Sequence, residues 1–433
     1  MVFLKMSKKK FFIETFGCQM NVHDSEKISG VLDREGYCPA DSPKESDLII
    51  FNTCSIRQKA EQKFFSRLGR IKDLKKRNPN LKIAVAGCIA QQQGENIFRR
   101  APYVDFVFGP QNIHLLHDLL KGDSPLADHD NPMIAETDLP VSRKSGGRAW
   151  VSIMYGCNNF CSYCVVPYTR GPERSRPSEN ILREITEAAK EGFREVTLLG
   201  QNVNSYRSDV SFHELLQKIT AVRGIERIRF VTSHPRDLSV SLISAMHDLD
   251  KVCEHMHLPL QSGSDRILRL MNRGYSYGDY LRKVETVRSR VPGISITADI
   301  ITGFPGETDE DHRRTVEALK EIQYDGLFAF KFSPRPGTKA AILDGQVPDG
   351  IKTERISEIL EVQDSITLKL NKSLENSILE ILVEGTSETD ETMLTGRTRS
   401  NKIVNFKGSS PAGSIVSVKI VRARKHSLDG ETL

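Results

Sequence analysis

Three cysteines lie close together in the stretch MYGCNNFCSYCVVPYTRG, at Cys157, Cys161 and Cys164. Their C-x3-C-x2-C spacing directly follows a strand-like run, which puts three thiolates in one tight loop. Three thiolates can bind three irons of a 4Fe–4S cluster and leave the fourth iron open. Structural zinc needs four ligands, and no further Cys or His occurs between Cys164 and His213. The spacing therefore favours an iron–sulfur cluster over zinc.

An iron without a protein ligand suggests a particular chemistry. Such an iron can chelate the amino and carboxylate groups of S-adenosylmethionine. One electron from the cluster then cleaves the sulfonium and releases a deoxyadenosyl radical. Tyr163 lies between two of the cysteines, where its ring could cover the adenine of that cofactor or serve as a packing residue.

Further cofactor-binding candidates follow two of the later strand-like runs. Gly200, Gln201 and Asn202 lie in LLGQNVN, and Gly303 lies in DIITGFPGE. Glycine would permit close approach of the backbone to a ligand. Ordinary turn chemistry explains these stretches equally well, and the scattered histidines form no catalytic pair, so the sequence assigns no catalytic residue.

A second set of cysteines is spread through the first part of the chain, at Cys18, Cys54 and Cys88. Each follows a predicted strand, and ligands of an open parallel sheet gather at the carboxyl ends of its strands. A single such cysteine would be interpreted as a small buried apolar residue. Three at equivalent positions favour a shared crevice and a second cluster with an open iron. Cys38 and Cys253 lack such partners, and we interpret them as ordinary cysteines.

The elements that must position these residues fall into three segments. From Phe11 to Leu120, strand-like runs such as DLIIFNT and KIAVAG alternate with helical patterns, which predicts an α/β domain with a doubly wound parallel sheet. Residues 121–147 are rich in Gly, Pro, Asp and Ser, which predicts a linker.

The second segment, from Arg148 to Asn371, contains six strand-like runs separated by gaps long enough for helices. This pattern predicts a partial (β/α)6 barrel, whose chemistry lies at the carboxyl ends of the strands. The runs are Trp150–Tyr155, Glu195–Gly200, Ile228–Val231, His255–Pro259, Ile296–Thr302 and Leu327–Phe332.

The last segment changes to short alternating runs with close turn signals, which predicts a small antiparallel β-barrel. Thr395 to Lys425 holds eight Lys and Arg and no Asp or Glu. Most charge runs are solvated surface, but small β-barrels often bind nucleic acids. We therefore expect RNA binding here, with Arg397, Arg399 and Lys402 as the first candidates, and Arg397 and Arg399 on one strand face. The other basic residues are Lys407, Lys419, Arg422, Arg424 and Lys425.

The composition sets the class of protein. The chain has 433 residues, 38% hydrophobic and 27% charged, with a net charge of +5. This is typical of a soluble globular protein of two or three domains. The amino terminus lacks the apolar run of a secretory signal, and no stretch approaches the roughly 18 apolar residues of a membrane helix. We expect a cytoplasmic protein, in which clustered cysteines bind metal more often than they form disulfides.

These motifs resemble the radical S-adenosylmethionine methylthiotransferases over nearly the whole chain. The resemblance implies three domains: an amino-terminal methylthiotransferase domain over 9–125, a radical SAM barrel over 143–371 and a TRAM domain over 372–433. It also implies that Cys157, Cys161 and Cys164 bind the radical-generating cluster. By the same resemblance, the remaining cysteine trio binds an auxiliary cluster. The stretches that carry it include TFGCQMNVHDSE, NTCSIRQKAEQKFFSRLGR, VVPYTRGPERSRP, LPLQSGSDRILRLMNRGY and LTGRTRSNKIVNFKG.

Within the family, these stretches are most similar to the tRNA branch that converts N6-isopentenyladenosine next to the anticodon into its 2-methylthio form. The resemblance implies two 4Fe–4S clusters and two uses of S-adenosylmethionine, one to methylate a sulfur and one to make the radical. It implies a tRNA anticodon loop as partner, a reductant such as flavodoxin or ferredoxin, and a monomer. A base leaves its stack more easily in such a single-stranded loop than in a duplex.

Other functions share some of these features. A sister enzyme acting on threonylcarbamoyladenosine in tRNA would share all six cysteines, and another modifies an aspartate of a ribosomal protein. A different class is a non-catalytic, redox-sensing RNA-binding protein with fully ligated clusters. Two separate trios of cysteines argue against that class, because each leaves one iron open.

Overall fold

The computed structural model describes residues 8–55, 58–122, 125–127, 130–143, 146–388 and 390–433. The chain forms two compact units. The first comprises Met1–Lys144, Tyr155–Asn158 and Val165–Arg174, and the second comprises Ser145–Met154, Asn159–Cys164 and Ser175–Leu433.

The first unit contains a parallel six-stranded sheet with the order β2-β1-β3-β4-β5-β6. Its strands are β1 (Lys10–Thr15), β2 (Cys38–Pro39), β3 (Leu48–Thr53), β4 (Lys82–Gly87), β5 (Phe106–Phe108) and β6 (Leu126–Ala127). Its helices are α1 (Gln19–Arg34), α2 (Gln58–Arg77), α3 (Cys88–Gln93), α4 (Glu95–Arg100), α5 (Leu116–Lys121) and α6 (Val166–Thr169).

Helices cover both faces of this sheet. All six residues of β3 are buried, as expected for a strand enclosed on both sides. Phe51 packs with Phe64 of α2 on one face, whereas Ile50 packs with Leu32 of α1 on the other. The doubly wound sheet predicted from the alternation of strands and helices is therefore confirmed.

The linker prediction for residues 121–147 is wrong at Leu126–Ala127. These two residues form β6, which pairs with β5 and completes the sheet. Farther along, Asn131 is buried and donates its backbone N–H to Gln111 Oε1 at 2.7 Å. A two-residue strand is too short to produce a periodic pattern, so sequence periodicity cannot reveal it.

The second unit begins with a series of strands and helices. The strands are β7 (Arg148–Ser152), β8 (Met154–Tyr155), β9 (Arg174–Ser175), β10 (Glu195–Leu199), β11 (Arg227–Phe230), β12 (His255–His257), β13 (Ser295–Thr302) and β14 (Gly326–Lys331), with β8 and β9 at the unit boundaries. The helices are α7 (Ser178–Lys190), α8 (Phe212–Thr220), α9 (Val240–Asp248), α10 (Asp265–Leu270), α11 (Tyr277–Arg290), α12 (Asp309–Ile322) and α13 (Asp349–Lys372).

Six of these strands form a partial (β/α)6 barrel. The sheets β11-β10-β7 and β12-β13-β14 are connected by a parallel bridge between Ile228 and Val252. Local sequence signals start several of the helices: Ser211, Ser276 and Thr308 each form a capping box with an acidic residue of the first turn, which satisfies backbone N–H groups there.

The carboxy-terminal segment is a closed five-stranded barrel with the order β15-β16-β17-β19-β18. Ile381, Val404, Phe406 and Leu428 lie in its core. The predicted barrel is confirmed, and the structure adds a fifth strand, β19, which pairs in parallel with β17. The strands are β15 (Ile378–Thr386), β16 (Leu394–Thr398), β17 (Ile403–Lys407), β18 (Ile415–Ala423) and β19 (Leu428–Thr432).

Buried arginines of β11 attach this small barrel to the (β/α)6 barrel. Arg227 donates to Glu380 Oε1 at 2.7 Å and to the Arg397 carbonyl at 2.9 Å. Arg229 pairs with Glu195 at 3.1 Å and donates to the Arg399 carbonyl at 2.9 Å. Glu195 and Arg227 are the first residues of the parallel strands β10 and β11. The small barrel therefore lies at the amino-terminal end of the (β/α)6 barrel, opposite the end where such barrels bind ligands.

We predict that Arg229→Met lowers the free energy of unfolding by about 3 kcal/mol, because Glu195 would be left buried without its partner. Urea denaturation measures the change. Arg223→Met, at an exposed position after α8, is the control and should change stability by less than about 0.5 kcal/mol. Equal effects of the two substitutions would contradict a stabilising role for the buried pair.

Candidate functional site

The structure brings Cys18, Cys54 and Cys88 to the carboxyl ends of β1, β3 and β4, which are neighbours in the sheet. Cys18 precedes α1, and Cys88 is the first residue of α3. Gly17 has a φ of +128°, and a Cβ there would overlap the Cys54 side chain. The chain at Cys18 therefore lies directly against Cys54, which only glycine at this position permits.

A buried hydrogen-bond network fixes these strand ends. The Asn52 side chain donates to the Asn21 carbonyl at 2.8 Å and to Ser25 Oγ at 2.9 Å. Asn21 donates in turn to the Thr53 carbonyl at 3.0 Å. Buried polar groups that are fully bonded make a rigid support. The first turns of α1 are thus tied to the residues that precede Cys54.

Arg170 adds a positive charge to the same site. It is 5% exposed and donates to Asp24 Oδ2 at 2.7 Å, and its charge acts on the Cys88 thiol. Burial raises the pKa of the Cys88 thiol, and the guanidinium opposes that rise. The sequence reasoning missed Arg170 and Asp24, and only their place in VVPYTRG and TFGCQMNVHDSE, two stretches that carry the resemblance, could have indicated them.

The cysteines of the C-x3-C-x2-C motif are divided between the units: Cys157 belongs to the first, and Cys161 and Cys164 belong to the second. Within the second unit, the turn after α10 holds the motif loop. Ser162 donates its backbone N–H to the Met271 carbonyl at 3.0 Å. Arg273, which sequence reasoning also missed, donates to Cys161 Sγ at 3.2 Å.

Arg273 also positions the predicted adenine-facing ring. It donates to Tyr163 Oη at 3.3 Å and to the Pro259 carbonyl at 3.1 Å. Tyr163 packs against a small apolar cluster that includes Phe304, and Ile301 of β13 joins the same cluster. The motif loop is therefore placed at the carboxyl end of β13, on the ligand-binding end of the barrel.

Buried polar atoms without partners among the described residues follow four consecutive strands of the barrel. Both amide atoms of Gln201 belong to this set, after β10, as does Asn202 Oδ1. Sequence reasoning did not find the others, which are Ser233, His234, Gln261 and Thr302. Buried polar groups normally have hydrogen-bond partners, so this ring of groups fits a polar cofactor.

The two predicted glycines contact protein side chains. A Cβ at Gly200 would press against Met154, and one at Gly303 would overlap Lys352. Gly303 has a φ of +71° and donates its N–H to Glu307 Oε1 at 2.9 Å. These contacts account for both glycines through packing, and their role towards a cofactor stays a prediction.

His234 has a defined hydrogen-bonding state. Its Nδ1 accepts the backbone N–H of Arg236 at 3.2 Å, so the ring proton is assigned to Nε2. Burial, reinforced by the charges of Arg273 and Arg236, lowers the pKa of His234 to about 2. The ring is therefore a neutral donor at physiological pH, and its Nε2 lacks a partner among the described residues.

A 4Fe–4S cluster and a single metal ion need different arrangements of their ligands. Among the described residues, no three His, Cys, Asp or Glu side chains converge on a site for one metal ion. In a 4Fe–4S cluster each cysteine binds a different iron, so the ligands surround the cluster and do not meet at one point. Cys18, Cys54 and Cys88 lie at three adjacent strand ends, and their role as cluster ligands stays a prediction.

The basic residues predicted to bind RNA form ion pairs within the second unit. Arg397 pairs with Glu384 at 3.1 Å, Arg399 with Glu254 at 2.6 Å and Lys402 with Asp325 at 2.9 Å. The expectation that Arg397 and Arg399 share a strand face is wrong, because β16 ends at Thr398 and Arg399 lies in the turn that follows. Their RNA-binding role stays a prediction.

Comparisons with known proteins agree with this architecture. Three family models match the chain: Uncharacterized protein family UPF0004 at residues 10–109, the Radical SAM superfamily at 151–319 and the TRAM domain at 372–433. A radical S-adenosylmethionine methyltransferase, TsrM from Kitasatospora setae, has a similar fold, with a TM-score of 0.59, 15% identity and 77% of each chain covered. The fold and site define a radical S-adenosylmethionine protein.

Curated relatives make the assignment more specific. A protein of Thermodesulfovibrio yellowstonii named tRNA-2-methylthio-N(6)-dimethylallyladenosine synthase is 53% identical over 99% of this chain and 100% of its own length. A protein of the same name from Carboxydothermus hydrogenoformans is 49% identical over 98% and 99%. The chain belongs to the radical S-adenosylmethionine methylthiotransferase family that includes these synthases. Membership implies S-adenosylmethionine and a 4Fe–4S cluster as cofactors.

The helices of the described residues differ in length or apolarity from those that span a membrane. None of them is both long and apolar enough to cross a bilayer.

We predict that Gln201→Leu and His234→Phe each weaken S-adenosylmethionine binding by about five- to tenfold, the effect of losing one buried hydrogen bond. Calorimetry on anaerobically reconstituted protein measures the affinity. His247→Phe, at an exposed position on α9, should leave it unchanged. Wild-type affinity in both test variants would show that these strand ends do not contact the cofactor.

Proposed function

We propose that this protein methylthiolates carbon 2 of N6-isopentenyladenosine next to the anticodon of tRNA. One observation carries the proposal: a trio of cysteines at adjacent strand ends accompanies a complete C-x3-C-x2-C motif in the same chain. The names of relatives about half identical over nearly the full length support the substrate.

The proposed chemistry needs a radical because the hydrogen on carbon 2 is unactivated, and no side-chain base can remove it. When bound, S-adenosylmethionine and a 4Fe–4S cluster supply a deoxyadenosyl radical for this step. Cys157, Cys161 and Cys164 would hold that cluster. Arg273 orients the Cys161 thiol, and the polar groups around Gln201 would hold the cofactor. Cys18, Cys54 and Cys88 would hold a second cluster, at which the sulfur atom to be methylated and transferred would be bound.

The interior of the (β/α)6 barrel offers a surface for the base. Leu327 and Ala329 of β14 pack against the outer core, so Phe328 and Phe330 face the opposite side, beside Asp299 and Ile301 in the strand register. The phenyl rings are 55% and 40% exposed. Aromatic rings stack with extruded bases, which supports a nucleobase substrate.

The carboxy-terminal barrel would hold the tRNA backbone. Its exposed lysines include Lys407 and Lys419, which lie on either side of Glu431 across three paired strands. Arg397, Arg399 and Lys402 stay in the proposal, although each already pairs with a carboxylate. The exposed lysines need not break such pairs to contact phosphate.

The remaining parts of the proposal concern the reductant, the oligomeric state and the location of the protein. An external reductant such as flavodoxin or ferredoxin would supply the electron. The protein would act as a monomer in the cytoplasm, where tRNA is modified.

We predict a division of labour between the two cysteine trios. Replacing Cys157, Cys161 and Cys164 with Ala should remove about four of eight irons and abolish deoxyadenosine formation. Replacing Cys18, Cys54 and Cys88 should also remove about four irons, but deoxyadenosine formation should persist without methylthio product. Iron analysis and mass spectrometry of an anticodon stem-loop containing N6-isopentenyladenosine give both readouts.

Cys38→Ala is the matched control, since Cys38 lies on the edge strand β2, and it should keep all iron and activity. Stoichiometric zinc in the wild type would contradict the cluster assignment. Product from threonylcarbamoyladenosine RNA alone would replace the proposed substrate with that of the sister enzyme.

We predict that the double variant Lys407→Gln, Lys419→Gln weakens tRNA binding and reduces the slope of log affinity against log salt by roughly 1.5. Each phosphate contact releases counterions on binding, so two lost contacts mean that fewer counterions are released. Glu431→Gln should strengthen binding, because it removes a negative charge between the lysines. Fluorescence anisotropy across a KCl series measures both. An unchanged slope in the lysine variant would exclude this face from the interface.

A further inference from the structure

Arg170 is the buried charge at the cysteine trio of the first unit. Its guanidinium donates to Asp24 Oδ2 at 2.7 Å, and its charge acts on the Cys88 thiol. It also interacts electrostatically with Cys18. The Gln111 side chain donates to its backbone carbonyl at 2.8 Å. Both the main chain and the side chain of Arg170 are therefore held in place.

The ion pair with Asp24 explains only part of this arrangement. A buried guanidinium is costly without a partner of opposite charge, and Asp24, itself 2% exposed, supplies that partner. A structural ion pair needs nothing more. Arg170 nevertheless directly follows α6, which packs against α3, the helix that begins at Cys88, so its charge also acts on the thiol of a proposed cluster ligand.

We propose that Arg170 and Asp24 are a positioning pair that sets the reduction potential of the cluster at Cys18, Cys54 and Cys88. A cluster becomes more negative when it is reduced, so a cation beside a ligand sulfur stabilises the reduced form. Asp24 holds the guanidinium and offsets part of its charge. The two residues therefore act on the potential with opposite signs. This inference rests on the second cluster of the proposed function.

The experiment uses the full chain with Cys157, Cys161 and Cys164 replaced by Ala, so that one cluster remains. Each variant is reconstituted anaerobically, its iron is counted, and its midpoint potential is measured by a redox titration followed by electron paramagnetic resonance. Arg170→Gln should make the potential more negative because it removes the cation. Asp24→Asn should make it less negative because it removes the offsetting charge.

Two further variants separate charge from structure. Arg170→Lys keeps the charge and should retain a potential close to that of the parent. Arg174→Gln, in the same segment, breaks the Arg174–Asp130 pair, which involves none of the trio, and should leave the potential unchanged.

The outcomes are distinct. Opposite shifts in Arg170→Gln and Asp24→Asn support the proposal, whereas shifts of the same sign, or none, reduce the pair to a structural ion pair and overturn it. If Arg170→Gln loses its iron, the sign of the Asp24→Asn shift decides. A parent protein without any cluster contradicts the proposed second cluster itself, which is a different failure.

Discussion

Several arginine guanidinium groups are buried in this protein, and each carries a large desolvation cost. Much of the site depends on the partners that compensate for this cost. Arg170, Arg229 and Arg273 are each 5% exposed or less. A desolvated charge needs partners with fixed geometry, and these arginines find them in elements distant in sequence. Arg170 and Arg229 pair with buried carboxylates, whereas Arg273 donates to phenol, carbonyl and thiol groups. Each therefore fixes the relative positions of the segments it connects.

The same solution occurs at both cysteine trios. The charge of Arg170 acts on Cys88 in one unit, and Arg273 donates to Cys161 in the other. Thiolate ligands bring negative charge into a buried site, and a guanidinium lowers the cost of that burial while it orients the sulfur. The two sites differ in how the positive charge of the arginine is balanced. Arg170 has a carboxylate partner in Asp24, whereas the partners described for Arg273 are phenol, carbonyl and thiol groups. This difference gives each site its own electrostatic environment.

Ion pairing also changes the role that can be assigned to the basic residues of the carboxy-terminal stretch. Counted along the sequence, its charges form a run without acidic residues, which suggests a nucleic-acid surface. In the structure, Arg399 and Lys402 pair with Glu254 and Asp325 of the (β/α)6 barrel. Much of the run therefore holds the small barrel in place at the amino-terminal ends of the parallel strands, and the exposed lysines of its outer strands are a separate surface.

The sequence by itself determined the architecture and the metal-binding candidates, because both depend on local patterns. The C-x3-C-x2-C spacing, the alternation of strands and helices and the capping boxes all span a few residues. Only the tertiary structure decided that Leu126–Ala127 completes a sheet, that Arg399 faces Glu254, and that Arg170 meets Asp24. Those last two residues are 146 positions apart. A partner at such a distance leaves no periodic trace in the sequence, since it is selected by burial and charge once the chain has packed.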